Sequence, residues 1–277
     1  MPSTPPSRAL WLWHSEKIQD PAEVSSLLSF ATTHSITAIH ALISRDIPNP
    51  VFASFIAQCT QRNISVQALI GNPQWLLNRG SPTLDSSLDW LVAYQTNATQ
   101  DSRFSAIHMD IEPHALSSWN TDKPSLIAAL QRIVIRVKAL GDSLGMQTGA
   151  DVMWWAHTVS VSSGEALGAW MLATLDFVVF MTYRTTVDEI MDLAKMALEA
   201  GDQARKPVWL AVETNPVADE AELISYAGLS QQRLFADLAC VAARAGLHDS
   251  FAGVVVHDYS GVVGMAPGEK GEVGGKC

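Results

Sequence analysis

The chain has 277 residues, 48% of them hydrophobic, which is enough for a large core and too apolar for a disordered polymer. Its net charge of −10 argues against a nucleic acid or an anionic membrane as partner. No apolar run approaches the roughly 20 residues of a membrane-spanning helix, and the N-terminal MPSTPPSRALWLWHS does not read as a signal peptide. The expectation is a cytoplasmic protein acting on a small molecule.

In chain order, short apolar strands alternate with helical segments. Strand one covers residues 9–14, and Asp20-Pro21 opens a helix that runs to about 34. Strand two covers 37–44, followed by a helix at 50–61. Strand three covers 65–70, then comes the loop GNPQWLLNRG and a helix at 84–94. Strand four lies in residues 104–119, FSAIHMDIEPHALSSW. A long helix at 123–141 carries Leu126, Leu130, Ile133 and Val137 at helical spacing. Strand five (146–153), a helix (163–172), strand six (175–183) and a helix (187–200) follow. Strand seven (207–213), a polar insertion (NPVADEAELISYAGLS), a helix (231–245) and strand eight (251–258) complete the series.

Eight strands alternating with helices predict a parallel sheet closed into an α/β (β/α)8 TIM barrel. The predicted organisation is a disordered lead at 1–8, one barrel domain at 9–265 and a flexible tail at 266–277. The Gly-rich SGVVGMAPGEKGEVGGKC leaves the last helix absent or vestigial, so the barrel has an open seam or a second copy of the chain covers it. Cys59 and Cys240 fall on predicted helices and read as buried thiols. With Cys277 they form no metal-binding or disulfide-framework spacing.

Strand four carries the chemistry. Ile107, Met109 and Ile111 lie on one face and His108, Asp110 and Glu112 on the other. Pro113 ends the strand, which leaves the two carboxylates at its carboxyl end, where a parallel barrel builds its active site. Other strand ends add Trp13 and His14, Trp75, Asp151, Trp154 or Trp155, Tyr183 and Arg184, Glu213, and His257 with Tyr259. The tryptophans suit stacking on sugar rings. Glu112 and Glu213, from strands four and seven, are a candidate acid and nucleophile if their carboxyl groups stand about 5 Å apart. Asp110 would tune Glu112 or orient a substrate amide. A divalent ion held by Asp110, Glu112, Asp151, Glu213, His257 and Asp258 is the weaker alternative; no metal or cofactor is expected.

Asp110-Ile-Glu112 with Met181-Thr-Tyr183 resembles the family 18 chitinases, whose barrel carries a DxxDxDxE strand four and a Met-x-Tyr-Asp strand six. The resemblance implies Glu112 as general acid, Asp110 as the residue positioning a substrate N-acetyl group, and Tyr183 as a transition-state donor. Ser105 and His108 stand in place of the first two aspartates, and Arg184 in place of the aspartate after the tyrosine. Glu112-Pro113 with Glu213 also looks like the paired glutamates of clan A glycosidases, with Ile111 where that clan has asparagine. The combined expectation is a glycosidase-like hydrolase acting on a small glycoside. A lyase, isomerase or cyclase on a hydrophobic metabolite is the alternative, and a non-catalytic sugar-binding barrel the third.

Overall fold

In the computed structural model, which describes residues 7–77, 81–218, 220–268 and 277, eight parallel strands close into one barrel in sequence order, β1 pairing with β8. The strands are β1 (Ser7–Leu12), β2 (Ala38–Leu42), β3 (Ser65–Ile70), β4 (Ala106–Met109), β5 (Gln147–Met153), β6 (Phe177–Met181), β7 (Val208–Glu213) and β8 (Phe251–His257). The helices are α1 (Pro21–Thr33), α2 (Asn49–Thr60), α3 (Pro82–Asn97), α4 (Trp119–Leu144), α5 (Leu167–Thr174), α6 (Val187–Ala204), α7 (Ala221–Ile224), α8 (Gln231–Ala245) and α9 (Tyr259–Gly264). Among the described residues no helix is long and apolar enough to cross a membrane. The predicted lead (1–6) and most of the predicted tail (269–276) lie outside the described residues.

Alternation along each strand sorts side chains into two cores. Leu10, Ile39, Val66, Ile107 and Val178 face outward into the large layer between strands and helices. Ala9, Trp11, Ala38, Leu69, Val179, Ala211 and Val255 fill the barrel interior. Local chemistry starts and stops the helices. Asp20 accepts from the Ala22 amide at the start of α1, with Pro21 at the first helical position. Thr186 and Glu189 cap α6. Gly145, at φ 66°, ends α4 in the left-handed conformation.

The elements begin and end within a few residues of expectation, with physical reasons for the differences. β1 starts at Ser7, because Ser7 and Arg8 pair with β8. α4 starts at Trp119 and kinks at Asp122, two residues before Pro124. The polar insertion contains the short helix α7.

The last helix is vestigial, as expected: α9 has six residues. Aromatic side chains from the flanking helices meet across the seam. His34, capping α1, stacks on Phe235 of α8 with ring centroids 4.1 Å apart, and Phe30 contacts both Phe235 and Tyr259. Cysteine pairing is a correction. Cys59 is a buried thiol, its pKa pushed up to about 12 by burial, but Cys240 forms a disulfide with Cys277. Folding brings the chain after α9 back to α8, a proximity that a spacing of 37 residues does not announce.

Candidate active site at the carboxyl end of the barrel

β4 ends at Met109, and Glu112 opens the short turn Pro113–Ala115 that leads toward α4. Gly71, just beyond β3, lets the chain pass here: a Cβ at this position would lie 1.8 Å from the Asp110 carbonyl oxygen. Asp110 reaches the mouth with part of its surface, yet its Oδ1 is sealed and has no hydrogen-bond partner among the described residues. Burial raises its pKa well above the usual aspartate value, and negative charge on Asp151 or Glu112 acts the same way, against the opposing pull of His257. The site thus favours the protonated form of Asp110. The Glu112 side chain is 33% exposed, with His114 Nε2 3.8 Å away.

Tyr183, just past β6, is partly buried. Burial raises its pKa, and so do the charges of Glu213, Asp110, Asp151 and Glu112. Its hydroxyl stays protonated and is a donor. Four carboxylates are thus close enough to Tyr183 to act on its phenol electrostatically.

A second network joins the tops of β1, β7 and β8. The Trp13 indole N–H donates to His257 Nε2 at 2.6 Å, and His257 Nδ1 lies 2.7 Å from Glu213 Oε2. Glu213 Oε1 accepts from the Thr214 amide, the Asn215 amide and the Asn215 side chain at 2.8, 2.7 and 3.0 Å. The Asn215 side chain also donates to Asp258 Oδ1. Buried Glu213 thus has its lone pairs occupied and holds His257 in orientation. Burial lowers the His257 pKa, but the Glu213 hydrogen bond and charge, with Asp258 and Asp110, leave it raised overall. The Trp13 N–H acts the other way, because it uses the lone pair that a second proton would need.

Below the mouth, the barrel interior is polar and aromatic. His108 is fully buried, with Nδ1 2.8 Å from Gln67 Oε1 and Nε2 2.8 Å from Asp151 Oδ1. Trp11 donates to Asp151 Oδ2 at 3.3 Å. His40 lies against His108, ring centroids 4.1 Å apart. Burial drops the His108 pKa to about 3 and raises that of Asp151.

The structure brings together Asp110, Glu112, Tyr183, Glu213, His108, Asp151, Trp13 and His257. Arg184 stays beside them, donating to the Tyr183 carbonyl at 2.7 Å. Four other candidates lie elsewhere. His14 is exposed and pairs with Glu16. Trp75 is buried and donates to Thr83 Oγ1. Trp154 lines a lateral pocket of about 230 Å³ with Phe180 and Met196, whereas its neighbour Trp155 contacts His114 and Trp119 beside Glu112. Tyr259 packs on Phe30 at the seam. Each follows a strand end, but the turn after the strand decides where its side chain goes. Sequence reasoning missed Trp11, His40 and Gln67. The available signal was a polar or indole side chain in mid-strand, in phase with small inward residues such as Ala9 and Ala38. Among the described residues, no group of three His, Cys, Asp or Glu side chains is placed to hold a metal ion.

Solved structures share the fold of this barrel. A class V chitinase from Pseudomonas fluorescens Pf-5 superposes with a TM-score of 0.56 at 11% identity, over 93% of this chain and 96% of that one. A chitinase from Chromobacterium violaceum gives 0.55 at 13% identity, over 93% and 95%. One from Bacteroides thetaiotaomicron gives 0.54 at 11%, over 92% and 90%.

In fold, the chain is similar to chitinases.

At this identity the likeness to chitinases is one of fold. No protein-family model matches the chain, and no curated protein matches its sequence. The TIM barrel expected from eight alternating strands and helices is present, and so is the likeness in fold to chitinases that the strand-four and strand-six motifs suggested.

Proposed function

We propose that the chain is a glycoside hydrolase acting on a 2-acetamido sugar, with Glu112 as general acid and base. One observation carries the reading. Of the four carboxylates that act on Tyr183, Asp151 and Glu213 are buried, while Glu112 opens to solvent past the end of β4, two residues from Asp110, whose acid form burial favours.

A bound glycoside would place its scissile oxygen at Glu112, which gives it a proton as the bond to the anomeric carbon breaks. Glu213 is a poor nucleophile here, because its oxygens are committed to His257, Thr214 and Asn215. The acetamido oxygen of the substrate is the remaining candidate to attack the anomeric carbon, as in substrate-assisted hydrolysis. Asp110 and Tyr183, whose protonated forms the site favours, are the donors suited to hold that acetamido group. Water then attacks the cyclised sugar, and the Glu112 carboxylate accepts its proton. The neighbours in fold are chitinases, which agrees with this substrate class.

A second reading draws on the aromatic side chains near Glu112, Trp155 and Trp119. They also suit a lyase, isomerase or cyclase acting on a hydrophobic metabolite with the same acid.

The test is release of 4-methylumbelliferone from its chitobioside and chitotrioside. The expected result is turnover that falls at least about 100-fold in Glu112→Gln while the melting temperature holds. Binding of chitotriose without turnover would refute hydrolysis and leave a sugar-binding barrel. Neither binding nor turnover would favour the second reading.

A further inference from the structure

A buried hydrogen-bond chain lies under the acid pair and takes no part in the scheme above. It runs from Gln67 in β3 through His108 in β4 to Asp151 in β5, with Trp11 of β1 on the far oxygen of Asp151. His108, Asp151 and Trp11 are all buried. Met109 pairs with Ala150, so the next residues of the two strands, Asp110 and Asp151, are lateral neighbours.

The donors and acceptors in this chain can be assigned. Gln67 Oε1 is an acceptor, so His108 Nδ1 carries the proton. A neutral imidazole then presents a lone pair at Nε2. Asp151 Oδ1, 2.8 Å from that lone pair, must supply the proton between them. Trp11 donates to Oδ2, the remaining oxygen. Burial of both groups acts in the same direction, against an imidazolium–carboxylate pair. The charges that reach Asp151 are those of His257 and Glu112.

We propose that Asp151 is a positioning residue of the Glu112 site: His108 and Trp11 engage its two oxygens, with the proton on the oxygen that faces His108, so that Asp151 does not compete with Glu112 for the proton of Asp110. Asp110 Oδ1 has no hydrogen-bond partner among the described residues. With Asp151 already protonated, the Asp110 proton is directed to Glu112 or to the substrate. His108 links β4 sideways to Asp151 on β5. The inference rests on Glu112 as the acid of the site.

Two measurements test it. In ¹⁵N/¹³C-labelled protein, the expected signals are His108 as the Nδ1–H tautomer and Asp151 as a carboxylic acid throughout pH 5–8. An Nε2–H tautomer, or an Asp151 carboxylate in that range, overturns the proposal whether or not the enzyme hydrolyses anything. The second measurement uses 4-methylumbelliferyl chitobioside. Asp151→Asn keeps one donor and one acceptor, so its kcat and pH profile should stay within about threefold of wild type. Asp151→Ala removes the donor and should cut kcat at least about tenfold, shifting the pH limbs with KM little changed. Equal loss in both variants, or an unshifted profile in Asp151→Ala, overturns the positioning role. If the wild-type protein does not turn over this substrate, the hydrolase reading fails, and the labelled spectra alone decide the state of Asp151.

Discussion

Asp110, just past β4, and Asp151 on β5 stand side by side, two acids in one corner of the barrel. Burial raises the pKa of each. Their difference lies in their partners. Asp151 is bonded to His108 and Trp11, whereas Asp110 leaves Oδ1 without one among the described residues.

This pair makes stability depend on pH in a defined direction. An unfolded aspartate has a pKa of about 3.9, and both groups bind protons more tightly in the folded state. Stability from these groups is fully present below about pH 4 and is lost as pH rises toward their folded pKa values. Asp110→Asn removes its share of that loss. The variant should melt close to wild type at pH 4 and above it at pH 7, by thermal scans across the range. A constant offset at both pH values would refute the assignment.

Trp13 governs His257. Its indole N–H occupies Nε2 at 2.6 Å. Trp13→Phe keeps an aromatic ring and frees that lone pair, so the His257 pKa should rise further above its ordinary value. Imidazole NMR titration reads the shift. An unchanged or lowered pKa would mean that the indole contact does not hold His257 neutral.

Gly71 is a steric requirement of the site. The Cβ of alanine would overlap the Asp110 carbonyl oxygen at 1.8 Å, and both partners are backbone. Gly71→Ala should destabilise the protein by about 1–3 kcal/mol and displace Asp110, lowering activity as well. Unfolding by urea and a parallel assay check both effects.

The Cys240–Cys277 bridge closes a loop of 37 residues around β8 and α9. Chain-entropy reasoning gives it about 3–4 kcal/mol. Cys240→Ser should lower stability by an amount of that order, and non-reducing peptide mapping should recover the linked peptides from wild type. A persistent disulfide belongs with an oxidising compartment, so mapping protein from its native cells also tests the cytoplasmic expectation.

Much of the architecture was legible in the linear chain. The strand ranges, the alternation His108-Asp110-Glu112 and the vestigial last helix all follow from periodicity and turn chemistry, which are local properties. Barrel closure followed because eight parallel strands with crossover helices bury both faces of the sheet in that form. Local pattern also brought Asp110, Glu112 and Tyr183 to the same end of the barrel.

What remained depended on which strands become neighbours and how each loop turns. Trp154 and Trp155 are adjacent in sequence, yet one lines a lateral pocket and the other lies beside Glu112. Glu213 is a carboxylate at a strand end, but contacts from β8 and its own loop occupy its oxygens. The Gln67–His108–Asp151 chain joins three strands, and Cys240 meets Cys277 through the chain's return to α8. Sequence alone determined the periodicity and therefore the fold. The tertiary structure decided protonation and partnership, because burial and hydrogen bonding are set by groups distant along the chain.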